Sequence, residues 1–256
     1  MTRSIPTTAG FTLVEMAIVL LIVALAIGGG LSVFSAQVEV QKVKETQSAL
    51  EDAKEALIGY AASHLAADSR PYLPCPDKTA AAPVIGTSVA PNVANDGIED
   101  RNTIGGCSVR DGSIPWATLG LKGLDGWSNR IRYRIVDDYT NLTSGFSVAT
   151  NPSAATELLV NNAALPVARL ATDVPFVLVS HGPNGLGAMS SGGTAVGAPT
   201  RANELENADS DTTFVSNGPI EIAGSEFDDV VTWLPAGLLF SRMLQAGVCV
   251  KTSACP

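Results

Sequence analysis

Histidine is almost missing from this chain: His64 and His181 are the two it has. There is no CxxC pair and no Cys/His cluster at zinc-ligand spacing, which excludes ribbon and finger sites. No GxSxG occurs, so the nucleophile elbow of an α/β-hydrolase is excluded too. Cations are few. The 16 Lys and Arg stand against 25 Asp and Glu, for a formal charge of -9. Such a balance argues against nucleic-acid binding, which needs clustered Lys and Arg on phosphates. The one local exception, Arg130, Arg132 and Arg134, reads as the solvated face of a strand. Proline is absent from 37–65, and no internal repeat stands out.

What the chain does have is one long apolar run. Residues 10–31 read GFTLVEMAIVLLIVALAIGGGL, with Glu15 as the single charge. A bilayer takes roughly 20 apolar residues to cross. A carboxylate in such a helix costs about 2.5–3.5 kcal/mol at the centre and less near an end, so Glu15 is a functional candidate by default. A secretory signal places its cleavage site after the apolar core. Here a short polar leader, 1–10, comes first, and Arg3 is its only charged side chain. Beyond the run, Val43, Leu50 and Leu57 recur at heptad spacing among alanines, so one helix is predicted over 11–67. Gly28, Gly29 and Gly30 interrupt it, at about 0.8–1 kcal/mol each relative to alanine. They serve either local melting or close helix–helix packing.

Gly10 before the cut, Phe11 as the new N-terminus, Thr12, Leu13 and Glu15 as the fifth mature residue resemble the class III signal of type IV pilins and type II secretion pseudopilins. The resemblance implies roles for three of them. Prepilin peptidase would read Gly10 and N-methylate Phe11, and Glu15 would neutralise the Phe11 amine of a neighbouring subunit. Opposite charges 4 Å apart at an effective dielectric near 20 attract by roughly 4 kcal/mol, enough to offset burial in a filament core. In the head, Asp125-Gly-Trp-Ser-Asn-Arg resembles the DxWGNxxxY signature of pseudopilins, with Ser128 in place of glycine. The Gly/Asn/Asp/Ser-rich stretch 181–216 reads as a long loop, and with Ser180 its start resembles the SxGxDGxxG loop that precedes the cation site of major pseudopilins.

Lys42 and Lys44 balance the leader's charge across the apolar run, so the positive-inside rule does not orient the chain. The cysteines and the resemblance place the C-terminal part outside the cytoplasm. Cys75, Cys107, Cys249 and Cys255 allow three pairings; economy of loop closure favours Cys75–Cys107 and Cys249–Cys255. Past Arg70 the prolines open an irregular stretch to about Ile114. Alternation then predicts a strand over 130–135, with further strands at 146–149, 175–180 and 230–234 and a short helix at 237–246.

Two further constellations carry chemistry. Asp209 and Asp211, with Glu204, Glu206 and Asn207 nearby and Asp228 and Asp229 beyond, form an all-oxygen donor set suited to calcium. The EF-hand pattern fails there, and the alternative is a hydrated acidic loop. Ser180 and His181 with Asp173 or Asp229 supply the residue types of a hydrolase, but adjacent Ser and His do not make a triad without folded proximity. The expectation is therefore no enzyme and no required cofactor. It is an α+β, pilin-like chain with leader 1–10, long N-terminal helix 11–67 (11–31 as transmembrane segment and filament core) and an antiparallel-sheet head 68–256. The resemblance implies a minor pilin or pseudopilin. Its partners would be prepilin peptidase, other pilin or pseudopilin subunits, the inner-membrane assembly platform and the membrane, with no nucleic acid. The precursor would lie in the bacterial inner membrane and the mature chain in a periplasmic or extracellular filament. The alternative is a membrane-anchored adhesin or ligand-binding module.

Overall fold

The structure, a computed structural model, describes residues 10–79, 85–87, 93–162, 168–253 and 255, and over 26–35 the helical backbone alone. The expected leader, Gly10 apart, lies outside the described residues, and of Gly28, Gly29 and Gly30 the helical backbone alone is described. Contacts divide the chain into two compact units, Met1–Lys42 and Val43–Pro256.

Helix α1 runs Leu13–Ser63. Its start is a capping box. Thr12 Oγ accepts the Glu15 N–H at 3.3 Å, and Glu15 Oε2 accepts both the N–H and the hydroxyl of Thr12 at 2.8 Å. Residues 10–25 are exposed throughout. Among the described residues no helix is long and apolar enough to cross a membrane; the expected span 11–31 continues into side chains outside them. Within the second unit, α1 buries Leu50, Ala53, Leu57 and Ala61, one face at helical spacing. Burying each leucine contributes about 1.5–3 kcal/mol. Ala53 is fully buried, so a larger residue there would overpack the contact. The helix ends four residues short of the predicted Ala67. Ser69 takes a left-handed φ of 63°, and the chain folds back through an Ala66 N–H bond to the Arg70 carbonyl at 2.8 Å.

The head is α+β. Four antiparallel strands form one sheet in the order β1 (Asp111–Ser113), β2 (Arg132–Ile135), β5 (Phe176–Ser180), β7 (Val230–Trp233). Alternation in β2 sends Tyr133 and Ile135 into the core. The second sheet, β4 (Arg169–Val174), β3 (Leu158–Asn161), β6 (Thr213–Val215), is mixed, because β3 and β6 run parallel. Helix α4 (Ala236–Gln245) buries Leu239 and Met243, four residues apart. Among the described residues there are also the short helices α2 (Trp116–Leu119) and α3 (Ala202–Ala208) and a 3-10 turn at Asp137–Tyr139. Disulfides join Cys75 to Cys107 and Cys249 to Cys255, the pairing that loop economy favours.

Three local readings need correction. Residues 146–149 form no strand. Phe146 is instead buried against Tyr139 and Phe240, and its N–H bonds the Pro71 carbonyl at 2.9 Å. The stretch read as one loop, 181–216, contains α3 and β6. Asn207 organises both: its Oδ1 accepts the Val215 N–H at 2.7 Å, and its Nδ2 donates to the Val215 carbonyl at 2.9 Å. The amide of one buried side chain thus completes the hydrogen bonding of a strand end, which no periodicity reveals. Nor are Arg130, Arg132 and Arg134 a solvated face: Arg132 is bonded and largely buried, as described below.

Candidate functional site

The turn at 125–129 ties three parts of the head together. Asp125 is buried, and its Oδ1 accepts the N–H groups of Trp127 and Asn129, each at 2.9 Å. Its Oδ2 accepts the Ser180 hydroxyl at 2.7 Å, from the end of β5. The Gly126 N–H bonds Thr46 Oγ1 on α1 at 2.9 Å. Ser128 sits at φ 67°, a left-handed conformation that costs an L-residue about 1–2 kcal/mol. This is the position where the signature it resembles carries glycine. Tyr133, eight residues after Asp125, donates its hydroxyl to the Pro74 carbonyl at 3.0 Å. The same turn meets the glycine-rich loop, where the Arg130 N–H bonds the Met189 carbonyl at 2.7 Å.

That loop in turn reaches the acidic residues. The Asn184 side chain donates to Glu204 Oε1 at 2.9 Å, and its N–H bonds Asp228 Oδ2 at 3.2 Å. Gly187 lies over the His181 ring: a Cβ there would stand 2.7 Å from Ala208 Cβ and 3.1 Å from the imidazole, so only glycine seats this loop. Asp229 Oδ2 accepts from Asn207 Nδ2 at 2.9 Å, and its Oδ1 lies 3.4 Å from His181 Nδ1 without hydrogen-bond alignment. Ser180 turns to Asp125, so the Ser–His–Asp constellation is not assembled around it.

Asp209 and Asp211 lie at the C-terminal end of α3, as an acidic turn. Asp209 Oδ1 accepts the Asp211 N–H at 3.1 Å, and Asp211 Oδ1 accepts the Thr213 N–H at 2.7 Å. Burial pushes Asp209, Glu204 and Glu206 above the usual carboxylate range, with neighbouring carboxylates adding to it. Among the described residues no three His, Cys, Asp or Glu side chains gather as a metal-binding group.

A cleft of about 420 Å³ lies beside the outward face of β2. Arg110, Arg130, Arg132 and Arg134 line it, together with Asp111 and His181. Arg132 is held from several sides. It forms a two-point pair with Asp111, through Nε at 2.8 Å and through one terminal nitrogen, and it donates to the carbonyls of Asn207 and Asp209. Asp111 beside it keeps this guanidinium charged despite burial. Arg130 stacks over the Trp116 ring at 3.4 Å and bonds Asn95 Oδ1 at 3.1 Å. The alternation that marks β2 also carries the arginines to one face, but nothing in the sequence showed that a second layer would close over them.

No family model matches the chain, and no curated protein or solved structure matches it either.

Proposed function

We propose that this chain is a structural subunit of a type IV pilus or type II secretion filament, a minor pilin or pseudopilin cut after Gly10. The observation that carries the reading is the N-terminal segment itself. A polar leader precedes the apolar run, Glu15 is its single charge, and every described side chain from Phe11 to Leu25 is exposed. A helix apolar on all sides needs an apolar surround, either lipid or neighbouring helices. Packing of 11–31 among copies or partner subunits supplies it in a filament. The precursor then sits in the bacterial inner membrane with the head outside the cytoplasm, where both disulfides can form and persist.

The head supports the same reading. The two segments that resemble pseudopilin signatures are far apart in sequence, yet Ser180 of one donates to Asp125 of the other. The capping box gives Glu15 a partner within its own chain, Thr12. In the assembled filament Glu15 exchanges part of that contact for the Phe11 amine of a neighbour. Glu15→Ala tests this: membrane insertion is kept and incorporation into sheared filaments falls. A variant that incorporates like wild type refutes the pairing. Deleting the gene and scoring surface pili and protein secretion separately identifies which filament it serves.

A further inference from the structure

The arginines lining the cleft differ in what they hold. Asp111 lies directly across from Arg134 in the β1–β2 register, but its carboxylate reaches diagonally to Arg132 instead. Arg110 pairs with Asp137 at 2.5 Å. Arg134 has neither. Its Nε is buried without an acceptor, and no hydrogen bond or ion pair engages the guanidinium among the described residues. Burial, with Arg132 and Arg110 close by, pulls its pKa down against the attraction of the nearby Asp111 and Asp137 carboxylates. A second polar group lining the cleft is equally unserved: His181 is fully buried, and its Nε2 has no partner among the described residues. Buried polar groups are normally satisfied, and the half-buried Arg134, with its Nε orphaned, departs from that rule.

The setting sharpens the point. The chain as a whole carries -9, yet the walls of this cleft hold four arginines and one aspartate. Its volume of about 420 Å³ falls in the range of small-molecule sites, roughly 300–1,000 Å³. The guanidinium fork matches oxyanions in two-point geometry. Arg110, just before β1, lies close to Arg134, whereas His181, just after β5, stands four residues beyond the Val177 that Arg134 faces.

We infer that the cleft over β2 is a binding site for a small phosphate- or sulfate-bearing ligand, with Arg134 as its principal anchor and Arg110 beside it as a supporting donor. The inference is independent of the filament reading, which rests on the N-terminal segment. In a filament subunit it would give the head a small-molecule ligand; in a membrane-anchored module it would be the ligand site itself.

The test uses the full chain in detergent, with inorganic phosphate and inorganic sulfate as probes and chloride at matched ionic strength as reference. Phosphate or sulfate raises the melting temperature saturably, and calorimetry gives one site per chain. Arg134→Met keeps the stem volume and removes the charge. It weakens phosphate binding about ten- to a hundredfold, the loss of one charge-assisted contact. It leaves the melting temperature without phosphate unchanged or higher, because a half-buried charge with no hydrogen-bonded partner is gone. Arg134→Lys retains charge without the fork and binds with intermediate affinity. Three results overturn the inference: a stabilisation that chloride reproduces, equal phosphate affinity in wild type and Arg134→Met, or an Arg134→Met chain that melts lower without phosphate, as loss of an already paired arginine would give. A gain for free phosphate or sulfate that a sulfated or phosphorylated sugar exceeds identifies an ester as the ligand; equal affinity for the free ion and the ester identifies the ion.

Discussion

Asp125→Ala tests whether the turn at 125–129 holds the head together. The substitution removes the acceptor for three donors at once: Trp127 N–H, Asn129 N–H and Ser180 Oγ–H. Ser180 is fully buried, so its orphaned hydroxyl costs about 1–3 kcal/mol. The two amide groups are part-buried and lose about 1 kcal/mol each. The total is about 3–5 kcal/mol. For a domain of 150–250 residues, 1 kcal/mol moves the melting temperature by about 2–4 °C, so a drop near 10 °C is expected. Ser180→Ala alone leaves Asp125 its two backbone donors and costs about 1–2 kcal/mol. Urea unfolding of wild type, both single variants and the double variant closes the cycle. The double variant should lie above the sum of the singles by about 1–3 kcal/mol, because no orphan hydroxyl remains. Additivity within about 0.5 kcal/mol would show that the 2.7 Å contact carries no coupling, and the argument linking the two segments would fail.

The remaining predictions concern the backbone, a buried acid and the cross-links. Ser128→Gly relieves the left-handed strain at φ 67° and stabilises the head by up to about 1 kcal/mol after glycine's own entropic cost; a less stable variant refutes this reading of the turn. Asp77 is buried, with Asp100 and Asp96 near it, and its carboxyl is pushed up to about 7 despite hydrogen bonds from the Gly97 and Asn95 N–H groups. A folded-state pKa above the unfolded value means that the native chain keeps a proton the unfolded chain has already lost. Stability from this group is therefore lost as pH rises from about 4 to about 7, and Asp77→Asn should flatten that part of the profile in thermal melts between pH 4 and 8. An unchanged slope contradicts it. Reducing the Cys75–Cys107 bridge, of sequence separation 32, frees chain entropy worth about 3.7 kcal/mol, while the Cys249–Cys255 bridge, of separation 6, is worth about 2.4 kcal/mol. Cys75→Ser with Cys107→Ser should consequently unfold in less urea than the C-terminal pair of serines, and the reverse order would count against the loop-closure account.

The parts of the fold that periodicity controls were legible in the sequence. Strand β2 follows from alternation at 131–135, β5 and β7 from short apolar runs, and α4 from Leu239 and Met243 on one face behind Pro235. The long helix follows from a stretch without proline. Strands β1, β3 and β4 were not predicted, and part of what else was not legible depends on single polar side chains acting at a distance. Asn207 converts part of an apparent loop into α3 and β6, and its amide has no local signature. The Asp125–Ser180 bond joins two segments that each carried a resemblance, yet nothing in either named the other as partner. The arginines on β2 appeared solvated because alternation reports one buried face only; the layer carrying Asn207 and Asp209 accepts Arg132 on the other. That Asp111 pairs with Arg132 rather than with Arg134 directly across from it is likewise something only the folded register exposes.

The filament reading rests on one cut. Intact mass spectrometry of the native chain, purified from cells with active prepilin peptidase, measures it directly. The expected mass is that of a chain beginning at Phe11, with one added methyl group on its amine and four cysteines oxidised in two disulfides. A mass that still includes residues 1–10 under those conditions would contradict the proposed function.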